Sequence, residues 1–339
     1  AAFLLVILGL AALFTVLYER HAFCRYLCPL AGWLGAYATL APFEVRGNKK
    51  ICQTQCGQHT CYKGTDHTAG CPVFLYPASV TSNSECLMCG NCLKNCESRG
   101  VQVNVRPPVA ELWQNSQPIQ ALSVFAMVVL AVMLMHALNQ VPWWRPVKAA
   151  IPFGPELKRF TIFAGLIASV LAAFAVAVTL SAAASRERFG ANLTRYGVAF
   201  IPLALALHLN AMTKAVLRDG MATILAYLGK LRDALFRAVP MTAGIEVGDP
   251  FAPPVLIRFI NAMVVLGGIA ATLLAIVMIA RRVSREAVFA RALPHLALAA
   301  VLGALALHTA TAVKPPKGAA PAPPAAAAPA PAPPSPPSL

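Results

Sequence analysis

The sequence predicts a mainly α-helical membrane protein with about six transmembrane helices, interrupted near its start by a cysteine-rich insert on the cytoplasmic side. Three observations predict it. Of 339 residues, 58% are hydrophobic and 12% are charged, against about 25% charged in a soluble domain. Apolar runs long enough to cross a bilayer, roughly 17 to 25 residues, recur along the chain. Where that pattern stops, between residues 52 and 96, eight of the ten cysteines are gathered.

Residues 1–17 are apolar throughout and lack the basic segment that precedes the core of a secretory signal, so they read as a transmembrane helix whose start is missing. In "ERHAFCRYLCPLAGW" (19–33), Cys24 and Cys28 stand four residues apart, on one face of a helix. Residues 29–43 continue as a short interfacial helix, so 1–43 form one unit. Residues 44–118 are rich in Gly, Pro, Asn and Gln and show no sustained periodicity. An insert of that size builds little hydrophobic core and needs some other staple.

Residues 119–313 form the helical bundle, with spans expected at 119–138, 160–184, 196–213, 259–280 and 292–313. Within it, 221–239 places Ile224, Leu228, Leu231 and Leu235 on one face. That pattern suits a helix lying in the membrane interface, or equally a tether that happens to be amphipathic. Residues 314–339 are dominated by proline and alanine and are expected to be disordered or extended.

The net charge is +15. The basic residues cluster in loops beside apolar runs, as in "SRER" and "RRVSRE", which is the pattern of membrane orientation. Placing the insert in the cytoplasm puts the short arginine-dense loops 185–195 and 281–286 on the same side. No basic, aromatic-studded soluble domain is present to bind nucleic acid.

The strongest motif is "ECLMCGNCLKNC". Cys86, Cys89, Cys92 and Cys96 follow C-x2-C-x2-C-x3-C, the spacing of bacterial ferredoxins. In that pattern three thiolates wrap one cubane and the fourth ligates another. Gly90 lets the loop turn tightly beside the inorganic core. A second set is therefore expected. Cys52, Cys56 and Cys61 supply it with wider spacing, and Cys71, followed by Pro72, is its distant member. The crossed arrangement groups Cys86, Cys89 and Cys92 with Cys71, and Cys52, Cys56 and Cys61 with Cys96, for two 4Fe–4S clusters that would also staple the insert.

Two other chemistries fit the cysteines less well. Disulfides need an oxidising compartment, against the cytoplasmic placement. Structural zinc commonly uses paired knuckles a dozen or more residues apart, a layout that four cysteines within eleven residues do not fit. Once eight cysteines are assigned, Cys24 and Cys28 are surplus. They read as a redox-active dithiol, a metal site shared with a partner, substitutes for an irregular ligand among 52–61, or small residues packing a helix end.

A helix ending in "FCRYLCPLAGW", a double-cluster insert, and "VQVNVRPPVAELW" entering the next helix resemble the membrane polyferredoxins of the NosR/NapH type. The "YGVAFIPLALALHLN" stretch (196–210) brings the chain nearer to membrane iron–sulfur proteins of the FesM type. The family's C-x3-C-P motif matches Cys24, Cys28 and Pro29. The resemblance implies a multi-pass protein of a bacterial-type inner (cytoplasmic) membrane. Its clusters would relay electrons between a membrane donor or acceptor, a quinone pool or haem, and a partner redox protein or membrane oxidoreductase complex. Some members serve metalloenzyme maturation instead, so an assembly or regulatory factor is the alternative. An electron-carrier subunit is expected rather than an independent enzyme.

Ionisable groups within spans are costly and carry a functional expectation by default. His136, His208 and His308 lie in the second, fourth and sixth spans, all in helices running outward. Two of them can ligate a haem b, or one can hydrogen-bond a quinone carbonyl; the third reading is a neutral, hydrogen-bonded bundle residue. His59, between two expected ligands, is either a solvated loop residue or a hydrogen-bonding neighbour of a cluster.

Overall fold

The computed structural model of the chain describes residues 2–18, 22–114, 119–219, 253–283 and 287–312. In chain order the elements are α1 (Ala2–Leu17), α2 (Ala22–Tyr26), α3 (Pro29–Ala38), β1 (Phe43–Gly47), α4 (Lys49–Thr54), α5 (Thr60–Lys63), α6 (Asn91–Lys94), β2 (Val101–Val105) and α7 (Glu111–Gln114). The bundle adds α8 (Gln120–Leu138), α9 (Trp144–Ala149), α10 (Pro155–Ser185), α11 (Phe189–Gly197), α12 (Ile201–Lys214), α13 (Pro254–Val283) and α14 (Val288–Thr311). The amphipathic stretch 221–239 and the tail 314–339 lie outside the described residues.

Five helical segments are long and apolar enough to cross a membrane: α8, α10, the run Phe189–Leu217 that joins α11 to α12, α13 and α14. The chain is therefore a multi-pass membrane protein. α1 is apolar but, at 16 residues, shorter than these five. Local chemistry sets the helix ends. α10 starts with Pro155 in its first turn, where the missing N–H costs nothing, and stops at Arg186 in the left-handed region. The tight 3-10 turn Val198–Phe200 falls just before Pro202, whose absent N–H and ring interrupt the α-helical ladder.

The spans close into a ring in which α8 packs on α10, α10 on α14, α14 on α13, α13 on α12 and α12 back on α8. Tyr196, Phe200, Met127, Leu134, Val178 and Ile276 are fully buried inside it. Small residues permit the closest approaches: Gly197 lies against Ser123, and Gly268 against Ala206 and the Pro202 carbonyl. α1 packs on α2 and leaves Leu5, Leu8 and Val16 exposed.

In the insert, β1 and β2 pair antiparallel from Phe43↔Val105 to Gly47↔Val101, and they bracket the eight cysteines. Among the described residues this is the one sheet. Two strands are too few to define a fold type, so the ferredoxin-like reading of the insert rests on its cysteine spacing. Its buried core is small, Val45, Cys61 and Val101, with Tyr62, Tyr76, Cys92 and Cys96 packed around them. That agrees with an insert in need of a staple.

A buried charge network ties the strands of the insert to α7, which packs on α13 of the bundle. Glu111, 2% exposed, accepts from the Asn83 N–H at 3.1 Å, from the Ser82 hydroxyl at 2.5 Å and from Arg106. Arg106 also pairs with Glu44 at 2.7 Å, and Arg46 with Glu44 at 3.2 Å. Both strands, the loop before Cys86 and the helix leading into α8 are thus held by four charged side chains.

Candidate metal centre of the insert

The eight cysteines of the insert fall into two groups by their mutual influence. Burial pushes the Cys61 thiol up to about 11, with Cys96, Cys56 and Cys52 pushing the same way and the Tyr62 amide opposing. Burial also raises Cys52, with Cys96 and Cys56 adding to it and a hydrogen bond with Tyr76 opposing. In the other half, burial pushes Cys92 up to about 11, reinforced by Cys86, Cys89 and Cys71 and opposed by the Leu93 amide. Cys86 is raised by burial, held back by the Met88 amide and the Arg46 charge, and raised further by Cys71 and Cys89. The structure thus brings Cys52, Cys56, Cys61 and Cys96 together, and Cys71, Cys86, Cys89 and Cys92 together.

The backbone around these thiols is bent to serve them. The Leu75 N–H donates to Cys71 Sγ at 3.3 Å, and the Gly100 N–H to Cys96 Sγ at 3.2 Å. His59, Phe74, Met88 and Arg99 take left-handed backbone angles two or three positions after a cysteine. Such angles cost about 1–2 kcal/mol per non-glycine residue and persist where surrounding structure demands them. Gly90 holds φ +79, the tight turn expected of it. His59 Nδ1 lies 3.9 Å from Cys56 Sγ, and its ring meets the Tyr76 ring edge-on at 5.2 Å.

A shallow recess, part of it open to solvent, is lined by Cys71, Cys86, Cys89 and Cys92 with apolar walls that include Val45 and Val73. Soft sulfur donors in fours, amide N–H groups on the sulfurs and apolar walls fit a thiolate-ligated iron–sulfur cluster. Among the described residues no three Cys, His, Asp or Glu side chains converge as they would on a single ion.

Cys24 lies in α2 and Cys28 precedes the first residue of α3. Cys24 is exposed and Cys28 half-buried. The residue between them nonetheless pins their segment to the insert. Arg25 donates through Nη1 to the carbonyl of Val73, two residues after Cys71. It also lies 3.8 Å from Glu85, the residue before Cys86. The C-x3-C-P segment therefore docks on the loops that carry one of the two cysteine groups.

The three histidines expected in the spans meet different neighbours. His136 is exposed. His308 accepts from the Trp143 indole at 3.0 Å. His208 is half-buried between Trp33 and Tyr37 of α3, at ring separations of 5.6 and 5.7 Å.

Sequence reasoning passed over His295, which is fully buried. Its Nε2 lies 3.0 Å from Asn192 Oδ1, and its ring stacks on Tyr196 at 4.1 Å. Asn192 in turn donates to Ser181 at 2.9 Å. The available signal was a proline–histidine pair early in an otherwise apolar run. The Glu44–Arg46–Arg106–Glu111 network was also passed over. Its signal was the scarcity of acidic residues, 13 against 28 basic ones, which makes each carboxylate near a span informative.

No family model matches the chain, and no solved structure matches it. Over 122 residues it is 30% identical to an Escherichia coli (strain K12) protein named "Putative electron transport protein YccM". The match covers 36% of this chain and 31% of that protein, so the similarity spans about a third of each.

Proposed function

We propose that this chain is a membrane-bound electron-transfer protein that holds two 4Fe–4S clusters, one on Cys52, Cys56, Cys61 and Cys96 and the other on Cys71, Cys86, Cys89 and Cys92. The observation that carries the reading is the division of eight thiols into two groups of four, each with its own amide donors. The name of the Escherichia coli relative, an electron transport protein, supports the same class of function.

Bound to such thiolates, a 4Fe–4S cluster supplies one-electron transfer. The chain's own residues set the conditions. Val45 and Val73 give the recess at one group apolar walls. Cys52 and Cys61 are themselves buried, which places the other group in a lower dielectric. Arg46 brings a positive charge to bear on Cys86 and favours whatever negative charge accumulates there.

The exposed basic residues Lys49, Lys50, Lys63, Lys94 and Arg99 form a face suited to an acidic redox partner. The bundle and the C-x3-C-P segment lead from this insert to a membrane donor or acceptor. We place the insert at the cytoplasmic face of a bacterial-type inner membrane, following the arginine-dense loops.

Iron and acid-labile sulfide analysis of the anaerobically purified chain tests the reading, together with electron paramagnetic resonance of the reduced form. About eight irons per chain and two interacting signals are expected. Stoichiometric zinc with no sulfide would refute it.

A further inference from the structure

Three helix ends meet on the insert side of the bundle, and a cleft opens between them. α7 packs on α13 just before the chain enters α8, while α13 ends and α14 begins at that same end. Trp113 and Gln114 of α7, Met278, Arg281 and Arg282 of α13 and Val288 of α14 line an open cleft of about 960 Å³. No cysteine lines it, so it belongs to neither group of four.

The length of α13 sets the depth of this cleft in the membrane. Its 30 residues, at 1.5 Å each, give about 45 Å, against a hydrocarbon core of about 30 Å. The last turn, which holds Arg281 and Arg282, therefore reaches the head-group layer. Tryptophan, here Trp113, is a residue type that gathers at this level.

Charge around the cleft is one-sided. Arg282 donates through Nη1 to the Trp113 carbonyl at 2.6 Å, a neutral acceptor that fixes the guanidinium and leaves its charge uncompensated. Arg281 is exposed beside it. Among the described residues neither is paired with a carboxylate. One turn further into the membrane Met278 is half-buried, and Trp113 and Val288 pack against the apolar core of the bundle. Membrane orientation alone asks for positive charge near a helix end. It does not ask for two guanidinium groups lining one cleft with a tryptophan and an apolar floor.

A ligand that matches this lining carries an anion at head-group depth and an apolar tail below it. We propose that the cleft binds an anionic phospholipid, its phosphate held by Arg281 and Arg282 and its acyl chain laid along Met278 and Val288. α7 also carries Glu111, which holds Arg106 and the Asn83 N–H, so the lipid braces the element that anchors the insert. The inference needs no cluster and stands apart from the electron-transfer reading.

Native mass spectrometry of the full chain in mild detergent tests it. Dioleoyl phosphatidylglycerol is titrated in parallel with dioleoyl phosphatidylcholine, which has the same tails and no net charge. One phosphatidylglycerol should be retained in preference to phosphatidylcholine. Each arginine near a membrane surface contributes about fivefold. Arg281→Gln should therefore weaken retention about fivefold, and Arg281→Gln with Arg282→Gln about twenty-five-fold. The single variant leaves the Arg282–Trp113 bond in place and serves if the double variant fails to fold. Equal retention of the two lipids would overturn the proposal. So would an equal loss in Lys158→Gln with Arg159→Gln, a basic pair at the start of α10 and the opposite end of the bundle, because total charge would then explain the effect. Displacement of the lipid by glycerol 1-phosphate at the same concentration would also overturn it, by showing that a free phosphate ester suffices.

Discussion

Cys71 and Cys96 carry the same backbone device. Each Sγ accepts from the N–H four residues on, Leu75 at 3.3 Å and Gly100 at 3.2 Å, across a left-handed residue at the third position, Phe74 or Arg99. Each also lies among the three thiols of the other stretch of sequence. If they are reciprocal fourth ligands, Cys71→Ser and Cys96→Ser should have matching and separable effects. Each variant should lose roughly half of the iron and one of two paramagnetic signals, in line with four irons per cluster. Loss of all iron in both variants would show instead that the two groups assemble as one unit.

The two groups are electrostatically unequal. Arg46 acts on Cys86, and its guanidinium is fixed by the Val45 carbonyl at 2.9 Å and Asn83 Oδ1 at 3.1 Å. A fixed cation favours the reduced, more negative state of a nearby centre. Arg46→Gln should therefore lower the potential of the centre on Cys71, Cys86, Cys89 and Cys92 and leave the other in place. Each tenfold change in the one-electron equilibrium corresponds to about 59 mV. A redox titration followed by electron paramagnetic resonance reads the two separately, and Arg46→Lys should restore most of the difference.

Glu111, on α7, is the keystone of the network that holds the insert. Replacing it with Gln leaves Arg106, 8% exposed at its side chain, with one fewer charged partner and weakens the acceptor for the Asn83 N–H. Breaking a buried pair of this kind costs about 3–5 kcal/mol. The loss should appear in the insert, because Ser82, Asn83 and both strands share the network. Limited proteolysis of Glu111→Gln should cut between Ser82 and Val105 faster than in the native chain, while the helical circular dichroism of the bundle is retained. Equal proteolysis of the two proteins would show that the remaining Glu44–Arg106 pair suffices.

How much of this was legible in the sequence varies with the physics involved. Bilayer-length apolar runs marked the spans to within a few residues, because a lipid-facing helix has few alternatives. The exceptions are the run Phe189–Leu217, which starts ahead of the expected 196, and α10, which runs from Pro155 although the apolar run begins near 160. Its first turn is polar and stands outside the apolar stretch. Cysteine spacing could nominate the two groups, since ligand geometry is local. The ring order of the helices, the Arg25 clamp and the Tyr196–His295–Asn192 cluster were not legible. Each joins residues far apart in the chain, and no local pattern announces such a pairing.

His295 and Asn192 form a buried polar pair within an apolar bundle, 3.0 Å apart. His295→Leu removes the partner of Asn192 Oδ1 and should destabilise the bundle by about 1–3 kcal/mol. Asn192→Leu strands the imidazole in turn, while the Ser181 hydroxyl keeps its bond to the Arg291 carbonyl. The double variant, with neither partner left unpaired, should cost less than the sum of the two. Thermal melting in one detergent across the four proteins gives the coupling directly. Additive losses would mean that the two side chains act independently.

Cys24 and Cys28 can be separated from the other eight by their accessibility. Cys24 is exposed and Cys28 half-buried. Cys89 is also exposed, yet as a cluster ligand it would be blocked. Maleimide labelling of the anaerobic, iron-loaded chain should therefore modify Cys24 first, Cys28 more slowly, and Cys89 hardly at all. Removing iron with a chelator should open Cys89 to the reagent without changing the rate at Cys24. Replacing both cysteines of the C-x3-C-P segment with serine should leave the iron content at the native value. A fall in iron on that replacement would mean that this pair supplies ligands, and the irregular stretch Cys52–Cys61 would then be the first place to look for the thiol it displaces.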